Sequence, residues 1–495
     1  MIKVGHNKYW RLLFLSCTVK SHFRRFAACV IPSLLAFALS GLYVIVDGFF
    51  VGNRIGDIGL STINLVYPVE CLFQAVGTGI GMGGAVLYTL NRCDGKPDRA
   101  AADLWLMNLL LLGFSVFFTI FFYVNIDWII SGLGGTGELA FLGREYLAII
   151  IFGSIPQIFA TGLIPIIRNN NGATYAMISM ASGFIGNILM DFLFVWVLEL
   201  SVRGAALATI LGQALTAVLA LLFVIRHRIP MFGRIRAREK SVTAQEKSVA
   251  AQEKSMAAHK RSIAAQETGR ILKTGLSPFG LTISPIVSLF FINRYSLVYG
   301  GEDAVAAYAC IVYVVTILYM MFQGVGDGAQ PLMSESFGRG NQREMELYLR
   351  MGLIASEAVA AAGIILIGLG KYRIAGLFGA SDLVSEMTAQ SLPVFLVGMP
   401  FMALSRLCSS VFYAQEHNIN AFVLVYAEPA LLILFLQFLP GQHGQDGVWW
   451  SMALAQIVNA CIAIAELLFI RKHVPGAAVQ PWESEPDQNA GAERR

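Results

Sequence analysis

Two aspartates stand in stretches of this chain where water should be scarce. Asp47 sits in "LYVIVDGFFVG" (42–52) and Asp191 in "GNILMDFLFVW" (186–196). An aspartate at mid-bilayer depth costs on the order of 2.5–3.5 kcal/mol on insertion scales, so such groups are paired or carry ion and proton traffic. Asn187 precedes Asp191 by four residues, on the same helix face. If the Asp191 helix ends near Glu199 and the next begins near Gly204, Asp191 lies ~12 Å and Thr209 ~8 Å from one rim. Asp47 lies ~8 Å from the end of its own helix near Gly52. Two carboxylates, an amide and a hydroxyl at one depth suit either a Na⁺ ion or a shared proton, because adjacent carboxylates in apolar surroundings resist joint ionisation. The plain alternative is interhelical hydrogen bonding with no traffic at all.

A second set lies in the other half: Asn293, Arg294 and Tyr295, then Tyr313, Met320, Met321, Gln323 and Asp327. Met and aromatic side chains suit an adaptable wall for an apolar substrate, although the same residues at helical spacing also serve simple packing. An intramembrane arginine needs a partner or a wet cavity, and Asp327 is the candidate partner for Arg294. Glu335 is expected to be solvated or to act as a gate contact, while Glu428 is a mid-span acid with no evident role.

The elements that must hold these residues are membrane helices. The 495-residue chain is 56% hydrophobic and 14% charged, with mean hydropathy +0.63, against the roughly 25% charge usual in soluble domains. Apolar runs predict twelve spans near 26–51, 60–90, 104–125, 146–167, 173–198 and 204–225, then 276–299, 304–336, 350–369, 388–413, 419–439 and 447–470. Of the 36 Lys and Arg, 29 fall on the side shared by the termini and five on the other. That bias predicts a multi-pass protein of the cytoplasmic (inner) membrane with both termini cytoplasmic. The seven cysteines show no metal or redox spacing and read as small hydrophobes. No HExxH, GxSxG or Ser-Lys arrangement lies in the spans, which argues against an enzyme. The modest charge of +4 is explained by topology, and no nucleic-acid partner is expected.

The halves repeat. "FQAVGTG" (73–79) returns as "FQGVGDG" (322–328), and "GAALATILGQ" (204–213) aligns with "GVWWSMALAQ" (447–456). Each half holds six spans, so these are parallel repeats, as in two-lobed alternating-access transporters. The expected organisation is an N-terminal segment 1–25, a first lobe 26–226, a linker 227–273, a second lobe 274–473 and a disordered tail 474–495. The linker carries a seven-residue unit in four copies (239–266). Val242, Val249, Met256 and Ile263 share one position, but Gln245, Gln252, His259 and Gln266 occupy the place where a coiled coil needs its second apolar seam, so a solvated spacer is expected.

"IPSLLAFALSGLYVIVDGFFVGNRIGDIGLSTINLVYPV", "RNNNGATYAMISMASGFIGNILMDFLFVW" and "QPLMSESFGRGNQREM" resemble the multidrug and toxic compound extrusion (MATE) family, over about 26–225 and 276–470. The shared patterns are P-x(14)-D-x(4)-G in helix 1, N-x(3)-D in helix 5 and QP-x-x-S-x-x-x-G-x-G-N after helix 8. The resemblance implies an all-α membrane protein of twelve helices in two pseudo-symmetric six-helix lobes, the MATE/MOP fold. It also implies an antiporter that expels amphipathic, often cationic compounds against inward H⁺ or Na⁺, with no other cofactor and as a monomer. In branches with this helix 1 and helix 5 pattern, the cation site falls on Asp47, Asn187, Asp191 and Thr209. The sequence departs from the branch with acidic ligands in helix 7, has Glu335 where asparagine is common, and adds the heptad linker. A lipid-linked precursor flippase of the same superfamily is the alternative; such proteins favour a strongly cationic cavity, and only Arg294 and Arg406 are basic within the predicted spans.

Overall fold

A computed structural model describes residues 6–231, 249–377 and 381–473. The expected tail at 474–495 and the first part of the heptad linker lie outside the described residues. The first lobe comprises α1 (His6–Ile55), α2 (Asp57–Cys93), α3 (Pro97–Val124), the short α4 (Ile126–Gly132), α5 (Gly137–Phe152), α6 (Ser154–Asn169), α7 (Ala173–Asp191) and α8 (Ser201–Arg226). The second comprises α9 (Val249–Gly338), α10 (Gln342–Leu377), α11 (Asp382–Ala414) and α12 (Asn418–His473). Helix α9 folds back on itself at Gly301 (φ 71°) and α12 at Gly444 (φ 59°), left-handed conformations that glycine adopts without penalty. Each therefore supplies two antiparallel limbs. Helices α5 and α6 meet at 52° and together make one bent span, so with the two limbs each of α9 and α12 the described residues hold the twelve spans expected from the sequence.

Three features differ from the sequence reading. The span expected at 146–167 is broken at Gly153, where Pro156 lacks the amide hydrogen that would continue the ladder. Helix α1 begins at His6, well before the predicted start at 26. The heptad segment from Val249 onward is helical and continuous with the first limb of α9.

Apolar cores show how the lobes meet. One buried cluster belongs to the first lobe, with Phe73, Leu104, Leu111, Tyr146 and Ile151, and one to the second, with Tyr308, Phe322, Phe395 and Trp449. A third mixes both lobes: Phe26, Val30 and Val86 pack with Val325, Met333, Leu407 and Phe412. All of these mixed contacts lie on the side of the bundle where the chain enters α1 and leaves α12, here the terminal side. Glycines make the approach possible. A Cβ on Gly79 would sit 2.8 Å from the Gly275 carbonyl oxygen; on Gly328 it would sit 2.7 Å from Val30 Cα, and on Gly324 2.8 Å from Leu34 Cα. Without water to drive helices together, such close backbone packing is what binds them. Shifting by 249 residues maps Gly79 onto Gly328 and Gly77, which packs on Thr161 of α6, onto Gly326, which packs on Ser410 of α11. The sequence repeat is therefore a structural repeat. Helices α3 and α10 lie at the periphery and expose Phe117, Ile120, Ile354 and Leu366, the apolar surface a lipid bilayer would cover.

Candidate functional site

Helices α1 and α7 run side by side. Tyr43 stacks on Phe184 with ring centroids 5.2 Å apart, and Phe50 meets Trp196 edge-on at 6.2 Å. Asp47 lies between these aromatic contacts, one turn from each. Beyond Asp191 the α-helical ladder gives way to a π-helical turn, Phe192–Val197, in which the Leu198 amide donates to the Leu193 carbonyl at 2.8 Å. Such widened turns cluster at functional positions because they free local carbonyls and re-aim side chains. An ion pair between Arg54 and Glu199 ties the far end of α1 to the segment just after the π-helical turn. Helix α8 presses on the other flank of α7: a Cβ on Gly212 would sit 2.9 Å from Asn187 Cβ.

This packing unites the four residues expected to bind a cation. Asp191, Asn187 and Thr209 are buried, and Asp47 is half-buried beside them. The Asp47 and Asp191 carboxyl groups come within hydrogen-bonding reach of each other. Two ionised carboxylates have no donor to place between them. Both oxygens of Asp191, Oδ1 of Asp47 and both amide atoms of Asn187 have no protein hydrogen-bond partner among the described residues. Buried polar atoms are ordinarily paired, so a cluster of open acceptors is suited to a proton or a small cation. The Thr209 hydroxyl donates to the Ala205 carbonyl at 3.1 Å, leaving its oxygen lone pairs available to a cation.

Three polar neighbours were missed in the sequence. Glu70 of α2 is buried within Coulombic reach of Asp47, and Gln157 Nε2 of α6 approaches its carboxylate at 3.5 Å. Tyr146 of α5 is buried beside Thr209, Glu70 and both aspartates. The signal for Glu70 was available, since "YPVECLF" is another apolar run with one acid. Gln157 and Tyr146 gave none, because their membership depends on which helices become neighbours.

The second-lobe set divides. Asp327 is not the partner of Arg294: it pairs with Arg168 of α6 at 3.0 Å, both side chains 3% exposed. Gln323 Nε2 (2.6 Å) and the Tyr413 hydroxyl (3.2 Å) also donate to Asp327, and the Arg168 guanidinium lies 5.2 Å from the Phe37 ring centroid. Arg168, counted by sequence as a loop residue, is instead a buried bridge between lobes. Arg294 and Tyr313 are exposed, and Asn293, Tyr295, Met320 and Met321 are half-buried. Tyr295 stacks on Tyr299 at 6.4 Å. Glu335 is not free in solvent: it pairs with Arg25 of α1, across the lobes, and with Arg339 on its own helix, at the terminal side. Glu428 lies near Arg406 and Gln456 in the interior of the second lobe.

Comparison with known proteins agrees with this architecture. Residues 32–193 and 276–436 match the MatE family model, one match per lobe. The multidrug export protein MepA of Staphylococcus aureus is 22% identical over 446 residues, 89% of this chain and 92% of that protein. MepA of Staphylococcus haemolyticus is 21% identical over 90% of this chain and 93% of its own. A MOP superfamily transporter from Pyrococcus furiosus superposes with a TM-score of 0.78 at 20% identity, covering 92% of this chain and 96% of that one. A multidrug resistance MATE transporter in an outward-facing conformation gives 0.75 at 20% identity, covering 90% and 96%. With the family model matched once in each lobe and the two-lobed fold in place, the chain belongs to the MatE family of membrane transporters.

Proposed function

We propose that this protein is a cation-coupled exporter of amphipathic, cationic small molecules, driven by inward H⁺ or Na⁺ through Asp47, Asn187, Asp191 and Thr209. The observation that supports it most is the carboxyl pair at the α1–α7 contact, Asp191 buried and Asp47 half-buried, in which both Asp191 oxygens and Asp47 Oδ1 have no hydrogen-bond donor among the described residues. A proton or Na⁺ between Asp47 and Asp191 removes their repulsion and lets α1 draw onto α7; its loss loosens that contact. Because α1 also packs on α9 through Gly324 and Gly328, repacking of α1 is transmitted to the seam between lobes. The terminal side, which we place in the cytoplasm on the Lys and Arg bias, is closed by the core shared between the lobes, and the second-lobe aromatic and Met residues are the substrate wall in this reading. The names of the MepA relatives support drugs or drug-like metabolites as substrates. The linker 227–273 and the tail 474–495 belong on the cytoplasmic side in this reading.

The test is ethidium transport in proteoliposomes with proton and Na⁺ gradients imposed separately. Wild type should accumulate ethidium against at least one gradient, and Asp47→Asn and Asp191→Asn should each lose that accumulation. Full gradient-driven transport by both variants would refute the coupling site.

A further inference from the structure

We infer that the carboxylate of Asp327 is the seat for the positive charge of the substrate, and that Arg168 fills that seat whenever the terminal side is closed. The inference rests on the exporter reading above and gives it a binding group and a release step.

The geometry is that of a site already holding a cation. Arg168 Nη1 donates to Asp327 Oδ2 at 3.0 Å, its guanidinium lies 5.2 Å from the Phe37 ring centroid, and Nη2 approaches the Met180 sulfur at 3.7 Å. A carboxylate on one side and an aromatic ring with a thioether on the other are what an amphipathic organic cation needs. The two sides come from different lobes: Asp327 is on α9, whereas Arg168, Phe37 and Met180 are on α6, α1 and α7. Asp327 Oδ1 is held within its own lobe, by Gln323 Nε2 at 2.6 Å and the Tyr413 hydroxyl at 3.2 Å. When the lobes part, these two donors stay with the carboxylate and keep it oriented, while Oδ2 loses its partner. The 249-residue repeat puts Gln74 at the equivalent of Gln323 but Thr78 at that of Asp327, so packing of the repeat does not call for an acid there.

Charge balances in both states. With the terminal side closed, Arg168 and Asp327 neutralise each other, each side chain 3% exposed. With it open, an incoming monocation neutralises Asp327 and Arg168 turns to water. The move is short, because Arg168 is the penultimate residue of α6 (Ser154–Asn169) and Asn171, just beyond, is exposed. The hold on Arg168 is also incomplete. Only Nη1 bonds the carboxylate, and Nε is buried with no hydrogen-bond partner among the described residues. The pair therefore lacks the bidentate fork of the strongest arginine–carboxylate bridges. On closure, Arg168 returns to Oδ2 and displaces the substrate toward the other side. Amphipathic monocations bearing an N–H donor are the class this exchange selects, since they can donate to Oδ2 as Arg168 does.

Ethidium, a flat monocation with two amino groups, is titrated by fluorescence anisotropy against detergent-solubilised wild type, Arg168→Gln and Asp327→Asn. Removing the internal occupant should tighten binding about tenfold or more in Arg168→Gln, because apparent affinity scales with the fraction of molecules whose seat is free. Removing the seat should weaken binding about tenfold or more in Asp327→Asn. A pair that only latched the lobes would move both variants the same way, since either change unlatches them. Any pattern other than tighter for Arg168→Gln and weaker for Asp327→Asn overturns the inference and leaves the exporter reading to stand on gradient-driven ethidium accumulation by wild type. Absence of that accumulation overturns both. If a single variant fails to fold, Arg168→Leu with Asp327→Leu replaces it: binding weaker than wild type supports the inference, and equal or tighter binding refutes it.

Discussion

The glycine seam on the terminal side makes a quantitative prediction about alternating access. Substituting Gly328 by alanine places a Cβ 2.7 Å from Val30 Cα, where ordinary contact begins at about 3.4 Å. The neighbour is backbone, so it cannot swing aside. Helices α1 and α9 must part by roughly 0.7 Å, and overpacking of this kind typically costs about 1–3 kcal/mol. That cost falls on the state in which the terminal side is closed. The equilibrium between closed and open terminal sides should therefore move about 5- to 150-fold toward open. Cys29 reports the change, since it is buried within the seam beside Gly328. In protein whose other six cysteines are replaced, maleimide labelling of Cys29 should accelerate by about that factor in Gly328→Ala. Gly113→Ala, at a position with open space around it, is the control and should label at the parental rate. Unchanged labelling in Gly328→Ala, with Gly113→Ala also unchanged, would mean that the seam does not hold the closed state.

Two further outcomes follow from neighbouring features. Arg168→Gln or Asp327→Asn alone strands a buried charge and should cost about 3–5 kcal/mol, read as a lower melting temperature in detergent. The double change to Arg168→Leu with Asp327→Leu should recover most of that loss, because both charges are gone. At the corner between α11 and α12, burial holds His417 below its ordinary value of 6.5. Its ring is neutral in the fold, so acidification below about 6.5 protonates the unfolded chain first and the folded protein loses stability. Thermal melting should fall with acid more steeply in wild type than in His417→Gln.

The sequence carried the span number, the parallel repeat and the four residues of the α1–α7–α8 site, because helix period and depth from a rim are properties of one helix at a time. What it could not carry were lateral relations. Tyr146 and Gln157 join the site only because α5 and α6 pack against α2 and α8, and Arg168 reaches Asp327 only because α6 faces the second lobe. Arg294 and Asp327 were matched as opposite charges in the same half, yet the preferred partner came from 159 residues away in the other lobe. The π-helical turn after Asp191 likewise left no mark in residue types, since Phe, Leu, Val and Trp fit an ordinary membrane helix.

Continuity of the linker with α9 bears on how this gene can change length. Seven residues make nearly two full turns of α-helix, so gaining or losing one heptad advances the chain by ~10.5 Å but turns it by only ~20°. An insertion of two or five residues in the same stretch would turn everything upstream by ~160° or ~140°, toward the opposite face. From Val249 onward, where the repeat is already part of the helix that enters the second lobe, copy number can drift without re-aiming the connection to the first. From Val249 onward the repeat thus has the geometry of a spacer whose reach can change while its azimuth stays nearly constant.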